Sequence, residues 1–309
     1  MISLSRALID LKNASLRPYY SIRTAYPVWH GMLNRDAVRR FLADPPTLDP
    51  VQQRISSDLR ADGIAHTTLK ELVPEAPYLL AQMQERVRTL RVHAVQNRKK
   101  HFLLNLFEVA PELDMADPFF QYMLSPRVVD SVNAYLGMWS KFYCTILNIT
   151  QPIPPGEAPR QSQRWHRDPE DRRMCKVFLY LSDVDESSGP FTYVRGSQDG
   201  GPHRRLFPQR PPHGYYPPEG AVEARIPRDD IRTCTGPAGS ILFADTSGLH
   251  KGGYATEKER IMLTAGFLTS ASPRGVFFRL PSDRKPITAL PARVAYAVTG
   301  KRYGQGMGY

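Results

Sequence analysis

The chain has 309 residues, 41% hydrophobic and 23% charged, with 41 Lys+Arg against 30 Asp+Glu for a net charge of +11. That length and balance suit a soluble globular domain with a sizeable core, and no apolar run approaches the roughly 20 residues that span a bilayer. Cys144, Cys175 and Cys234 are odd in number and scattered, which excludes a disulfide framework and a thiolate site and leaves His and carboxylate as the metal ligands.

The basic residues fall in short clusters such as Arg98-Lys99-Lys100 and Arg204-Arg205. No continuous stripe marks a nucleic-acid surface, and the use left for the charge, beyond a solvated surface, is to concentrate an anionic small molecule at a cleft. The first 20 residues hold no continuous apolar stretch and no small-residue cleavage site, so a cytoplasmic protein without membrane attachment is expected.

In chain order, residues 1–45 read as an N-terminal helical extension, with Leu4, Leu8 and Leu11 at helical spacing. PVQQRISSDLRAD (50–62) reads as a helix stopped by Gly63 and followed by the extended IAHTTL. A longer helix is expected over 76–97. In LSPRVVDSVNAYLG, Ser125 suits the N-cap, Pro126 the first helical position and Gly137 the stop. From Lys141 the pattern changes to short strands: KFYCTILNIT, KVFLYLS, PFTYVRG, GSILFAD and RIMLTAGFL. Helices first and strands after predict a mainly β fold with flanking helices packed on an antiparallel barrel. Residues 46–309 are read as one domain. It carries a Pro-, Gly- and Arg-rich insertion or lid at about 199–236 that includes His203, Arg204, Arg205, Arg210, His213, Tyr215 and Tyr216.

The chemistry concentrates in WHRDPED (165–171). On an extended segment residues i and i+2 point the same way, so His166 and Asp168 can share one ion. His-x-Asp alone is a weak signal and needs context. That context is GSILFADTSGLHKGG, which ends a strand at His250. Two imidazoles and one carboxylate make a facial triad with coordination positions left open. Arg260 opens the next strand, well placed to clamp the distal carboxylate of a dicarboxylic acid through a planar, bidentate pair. Without the rest of the pattern it would read as one surface charge in Lys258-Glu259-Arg260. His30, His66, His93 and His101 read as structural or surface residues, and His203 and His213 as facing either substrate or solvent.

These features together resemble the phytanoyl-CoA dioxygenase family of iron(II)/2-oxoglutarate oxygenases. The resemblance runs over roughly residues 50–270, through RADGIAHT, SPRVVDSVNAYLG, WHRD, KVFLYLSDVDESSGPFTYVRGSQ, GSILFAD with LHKG, and Arg260. It implies a double-stranded β-helix (jelly-roll, cupin-like) core in which His166, Asp168 and His250 bind Fe(2+) and Arg260 holds the far carboxylate of 2-oxoglutarate. The strand Met174–Leu181 is similar to one lining the co-substrate, which makes Lys176 or Phe178 a contact. It further implies that O2 is consumed and succinate and CO2 are released. The segment Arg195-Gly196-Ser197-Gln198 departs from the family, which usually has a proline and a histidine there. Related halogenases replace the carboxylate with a small residue, so Asp168 points to hydroxylation or a related desaturation or ring closure.

The expected activity is hydroxylation of a polar or anionic small molecule. Against an oxygenase acting on nucleic acid stand the missing second arginine in IMLTAGF and the lack of an aromatic-rich basic stripe. The alternatives are a non-enzymatic jelly-roll binding protein and a 2-oxoglutarate-independent cupin-type metalloenzyme. Neither the primary substrate nor the oligomeric state is legible.

Overall fold

Two antiparallel sheets form the centre of the computed structural model, which describes residues 16–212 and 214–300. Among the described residues there are ten strands: β1 (Ile64–Thr68), β2 (Val95–Gln96), β3 (Leu103–Asn105), β4 (Lys141–Thr150), β5 (Cys175–Tyr180), β6 (Phe191–Val194), β7 (Ile231–Cys234), β8 (Ser240–Ala244), β9 (His250–Lys251) and β10 (Arg260–Leu268). The larger sheet runs β1-β8-β5-β10-β4-β3-β2 and the smaller β7-β6-β9. Their facing surfaces pack together, giving the double-stranded β-helix (jelly-roll, cupin-like) core.

Period-two alternation divides the larger sheet into two chemically different faces. Val177 and Leu179 of β5, Ile241 and Phe243 of β8, and Leu263, Ala265 and Phe267 of β10 join the main hydrophobic core. Each such side chain, once buried, contributes roughly 1.5–3 kcal/mol. The alternate residues Phe178, Tyr180, Leu242, Ala244 and Met262 point between the sheets, where Phe191 and Tyr193 of β6 meet them. Lys176 and Arg260 share this second face by register, since Lys176 pairs with Gly266 and Arg260 lies two residues before Met262.

Helices cover the first face. The helix Pro50–Asp62 starts at a reciprocal cap between Asp49 and Gln52 and ends on Gly63 at φ 76°, a left-handed conformation that glycine adopts without strain. A side chain at Gly63 would also collide with the Tyr193 hydroxyl and the Gln198 amide. The helix Pro126–Leu136 is capped by Ser125 and stopped by Gly137 as its sequence predicts. Ile55, Leu59, Val128, Val129 and Val132 from these two helices join the main core.

Three expectations need correction or extension. The helix expected over 76–97 is Leu79–Arg91, because β-branched Val95 pairs with Asn105 as an edge strand instead. The stretch expected to be irregular at 199–236 contains β7, which pairs along the whole of β6. Beyond 271, for which the sequence names no counterpart, the helices Lys285–Thr288 and Ala292–Thr299 form, and Val294, Ala297 and Val298 reach the main core.

The N-terminal region is tied to the barrel by polar contacts. Trp29 donates Nε1–H to Asp171 at 2.8 Å, and Asn34 donates to Thr269 at 3.0 Å and accepts from the Ala271 N–H. The helical spacing of Leu4, Leu8 and Leu11 lies outside the described residues. Among the described residues no helix is long and apolar enough to cross a membrane.

Candidate metal centre

His166 and His250 are brought face to face by the backbone. The His166 N–H donates to the His250 carbonyl at 2.9 Å and the His250 N–H returns a bond to the His166 carbonyl at 3.0 Å. The Asp168 N–H bonds the Thr246 carbonyl at 2.9 Å, so the His-Asp segment runs as a short added strand beside β9. Side chains 166 and 168 then leave the backbone on the same side. His166 Nε2 lies 3.8 Å from Asp168 Oδ1 and His250 Nε2 3.6 Å from Asp168 Oδ2, and one ligand atom from each residue falls within 4.8 Å of the others.

The tautomers suit a metal. His166 Nδ1 is 2.9 Å from the Arg164 carbonyl and His250 Nδ1 is 3.0 Å from the Gly248 carbonyl. A carbonyl can only accept, so each Nδ1 carries the proton and each Nε2 presents its lone pair towards Asp168. Two imidazole nitrogens and a carboxylate oxygen form a donor set suited to a ferrous ion.

Electrostatics hold the three groups in their ligating forms. Burial pushes the His166 imidazole down to about 3, with the neighbouring His250 adding to the effect. His250 is lowered too, again chiefly by burial. Burial alone would raise the Asp168 carboxyl, but the Lys176 ammonium and the two imidazoles outweigh it and hold it well below the usual carboxylate range. Lys176 Nζ sits 2.7 Å from Asp168 Oδ2.

A pH dependence follows. Between about pH 6.5 and 3 the unfolded chain binds protons that buried His166 and His250 refuse, so the contribution of these two rings to the metal-free fold is complete above that window and is lost as pH falls through it. Burial raises the Asp171 carboxyl to about 6 and acts in the opposite sense, so the test is a difference: between pH 7.5 and 5 the urea midpoint of the metal-free wild type is expected to shift downward relative to that of His166→Ala. Equal slopes in the two proteins would remove His166 as a source.

Arg260 is 3% exposed. Its Nη1 donates to the Gly189 carbonyl at 2.6 Å and its Nη2 to Thr150 Oγ1 at 3.2 Å, while Nε finds no partner among the described residues. No carboxylate of the described residues pairs with it, and burial lowers its pKa. A desolvated guanidinium with only neutral acceptors is costly unless an anion completes it. The sequence alternative of a surface charge is therefore not what the fold shows. Phe178 packs at a tilt against Phe191 with ring centroids 4.7 Å apart, and Phe191 lies 5.6 Å from the His250 ring, so Phe178 backs one wall of the site.

The region 199–236 is fastened onto the metal strand. Arg167 emerges on the side opposite to His166 and Asp168 and spends its donors on the carbonyls of Ser197, His203, Leu206, Phe207 and Ser247. Gln209 donates to the Asp168 and Asp171 carbonyls. Tyr216 stacks on the His166 ring with centroids 5.6 Å apart, and the Arg164 guanidinium lies over its ring. His203 is paired with Asp230 at 2.8 Å, whereas His213 lies outside the described residues. His30, His66, His93 and His101 do not join the cluster.

Sequence reasoning named Tyr216 only as part of the insertion; it missed Arg167 and Gln209, and also Asp171, which accepts from Trp29, from the Arg172 N–H and twice from Thr269. The one available signal was the period-two position of Arg167 and Asp171 on the face away from the ligands.

A jelly-roll barrel with a convergent His-Asp-His cluster defines the class: the fold of the mononuclear non-haem metal oxygenases. The chain belongs to the phytanoyl-CoA dioxygenase (PhyH) family, whose model matches residues 31–262, and this supports an oxidoreductase. No curated protein matches the chain. Among solved structures it is similar in fold to the epimerase SnoN in complex with Fe3+, alpha ketoglutarate and nogalamycin RO. That pair shares 17% identity over 72% of this chain and 85% of that one, with a TM-score of 0.54. It is also similar to EctD from S. alaskensis with bound Fe, at 14% identity over 86% of this chain and 91% of that one, with a TM-score of 0.53. EctD with 2-oxoglutarate and 5-hydroxyectoine matches at 15% identity over 85% and 94%, with a TM-score of 0.51.

Proposed function

We propose that this chain is an iron(II)- and 2-oxoglutarate-dependent dioxygenase that hydroxylates a polar or anionic small molecule, with release of succinate and CO2. The observation that carries this reading is Arg260, a buried guanidinium without a carboxylate partner among the described residues, on the sheet face that also carries Lys176, whose ammonium contacts Asp168. Nothing in a purely structural role requires a charge there. A five-carbon dicarboxylate satisfies it.

In this reading His166, Asp168 and His250 hold the iron, and Arg260 binds the far carboxylate of 2-oxoglutarate through its planar fork. The bound metal and co-substrate supply the oxidising chemistry with O2. The protein supplies orientation. The Nδ1 bonds to the Arg164 and Gly248 carbonyls fix both imidazoles, and Lys176 keeps Asp168 ionised. Phe178 and Phe191 close the site to water on the β6 side. Residues 46–309 form one catalytic domain, with 199–236 as its cover over the metal strand through Arg167, Gln209 and Tyr216.

The carboxylate at position 168 and the surplus of positive charge favour hydroxylation of an anionic or polar molecule. A screen of small metabolites with the iron-loaded protein, scored by succinate released from 2-oxoglutarate, is expected to give hits whose product gains one oxygen atom. Turnover without succinate would place the chain among 2-oxoglutarate-independent metalloenzymes. A succinate-coupled product that gains no oxygen would replace hydroxylation with desaturation, cyclisation or epimerisation.

A further inference from the structure

A cavity of about 380 Å3 lies on the side of the metal strand from which Arg167 emerges. It is lined by Arg167, Arg172, Arg204, Arg205, Gln209 and Ser247 among others, and its one acidic residue is Asp199. The charge is not balanced locally. Asp199 is already shared between Arg172 at 3.0 Å and Arg173 at 3.3 Å. Arg167 is engaged only with backbone carbonyls. Arg204 reaches only the Gly201 carbonyl, and Arg205 makes no hydrogen bond or ion pair with a described residue.

We propose that this cavity binds a phosphate-bearing small molecule, held by Arg204 and Arg205, with the guanidinium groups of Arg167 and Arg172 adding positive charge behind them. Two planar guanidinium forks beside one space, Arg204 and Arg205, match a tetrahedral dianion, whose oxygens accept two N–H groups from each fork. A single carboxylate would leave one fork unused. The volume falls at the small end of the range for ligand pockets, about 300–1,000 Å3, which admits a phosphorylated metabolite and not a strand of nucleic acid. The cavity does not share the metal face. Its occupant would act on the site through Arg167, between the two ligands of the His-Asp strand, and through Gln209, which holds the Asp168 carbonyl at its back.

The test is a calorimetric titration of the full chain, metal-free, with inorganic phosphate and then pyrophosphate. The wild type is expected to bind both saturably, pyrophosphate more tightly. The exposed pair R204A/R205A is expected to weaken binding by about tenfold or more, as lost charge-assisted contacts do. R39A/R88A removes the same two charges from other faces and is expected to stay within about twofold, the size of a screened long-range effect. No saturable heat from the wild type, or equal weakening in both double variants, would overturn the site. Because the titration needs no iron, its failure leaves the oxygenase reading untouched, and failure of that reading leaves this site untouched. The succinate assay then identifies the source. Competition between phosphate and a phosphorylated substrate means that the group belongs to the substrate. Altered turnover of a phosphate-free substrate means a free effector. Either result seats phosphate in this cavity.

Discussion

Alanine at His166 or Asp168 is expected to reduce ferrous binding and succinate formation to background, while the two variants differ in stability. His166→Ala removes a buried neutral ring and one hydrogen bond to the Arg164 carbonyl, for a cost of about 1 kcal/mol from the bond. Asp168→Ala does more. Lys176 and Asp168 are 2.7 Å apart with side chains only 15% and 13% exposed, and removing one partner of a buried pair costs about 3–5 kcal/mol. Asp168→Asn keeps an acceptor for Lys176 and is the better probe of metal binding alone. Metal content, succinate yield and urea midpoints check all three. Wild-type iron content in His166→Ala would remove that ring from the ligand set.

Arg260→Met is expected to raise the apparent KM for 2-oxoglutarate by roughly 10²-fold or more, because losing one partner of a desolvated charge pair costs about 2–5 kcal/mol. The free protein should respond in the opposite sense to an ordinary core mutation. The guanidinium lacks a carboxylate partner among the described residues and lies beside Tyr180 and Met262, so a methionine of similar length removes a buried charge. The cost of leaving the Gly189 carbonyl without its donor largely offsets that gain, and the net change is expected to stay within about 1 kcal/mol. A variant with unchanged KM would show that the anchor lies elsewhere. One that unfolds would make Arg260 a structural residue.

The parts of this site that the sequence reveals are those governed by short-range periodicity. His166 and Asp168 are two apart on an extended segment, and that spacing alone puts both side chains on one side. Arg260 is legible because it opens the apolar strand RIMLTAGFL, whereas His250 does not end the strand GSILFAD as expected: β8 stops at Ala244, and His250 opens β9 in the smaller sheet. Ser125, Pro126 and Gly137 spell a helix start and stop in local backbone chemistry, and the observed helix follows them.

What the sequence hides is what only the fold brings together. Arg167 looks like one more basic residue, yet it gathers carbonyls from residues 197 to 247. Trp29 and Asp171 are 142 positions apart and meet behind the ligand strand. β7 is hidden for a different reason: Arg232 and Thr233 are exposed edge residues, so it lacks the apolar alternation that identifies a half-buried strand. The helix Leu79–Arg91 ends early because Val95 gains more by pairing with β3 than helical periodicity alone foretells.

The most direct measurement is an anaerobic titration of the metal-free protein with ferrous ion and then 2-oxoglutarate, followed in the visible range. A weak charge-transfer band that saturates at one iron and one 2-oxoglutarate per chain, and that is lost in His166→Ala, is the predicted result. A wild-type protein that binds no ferrous ion, or binds it without the band at saturating 2-oxoglutarate, would contradict the assignment.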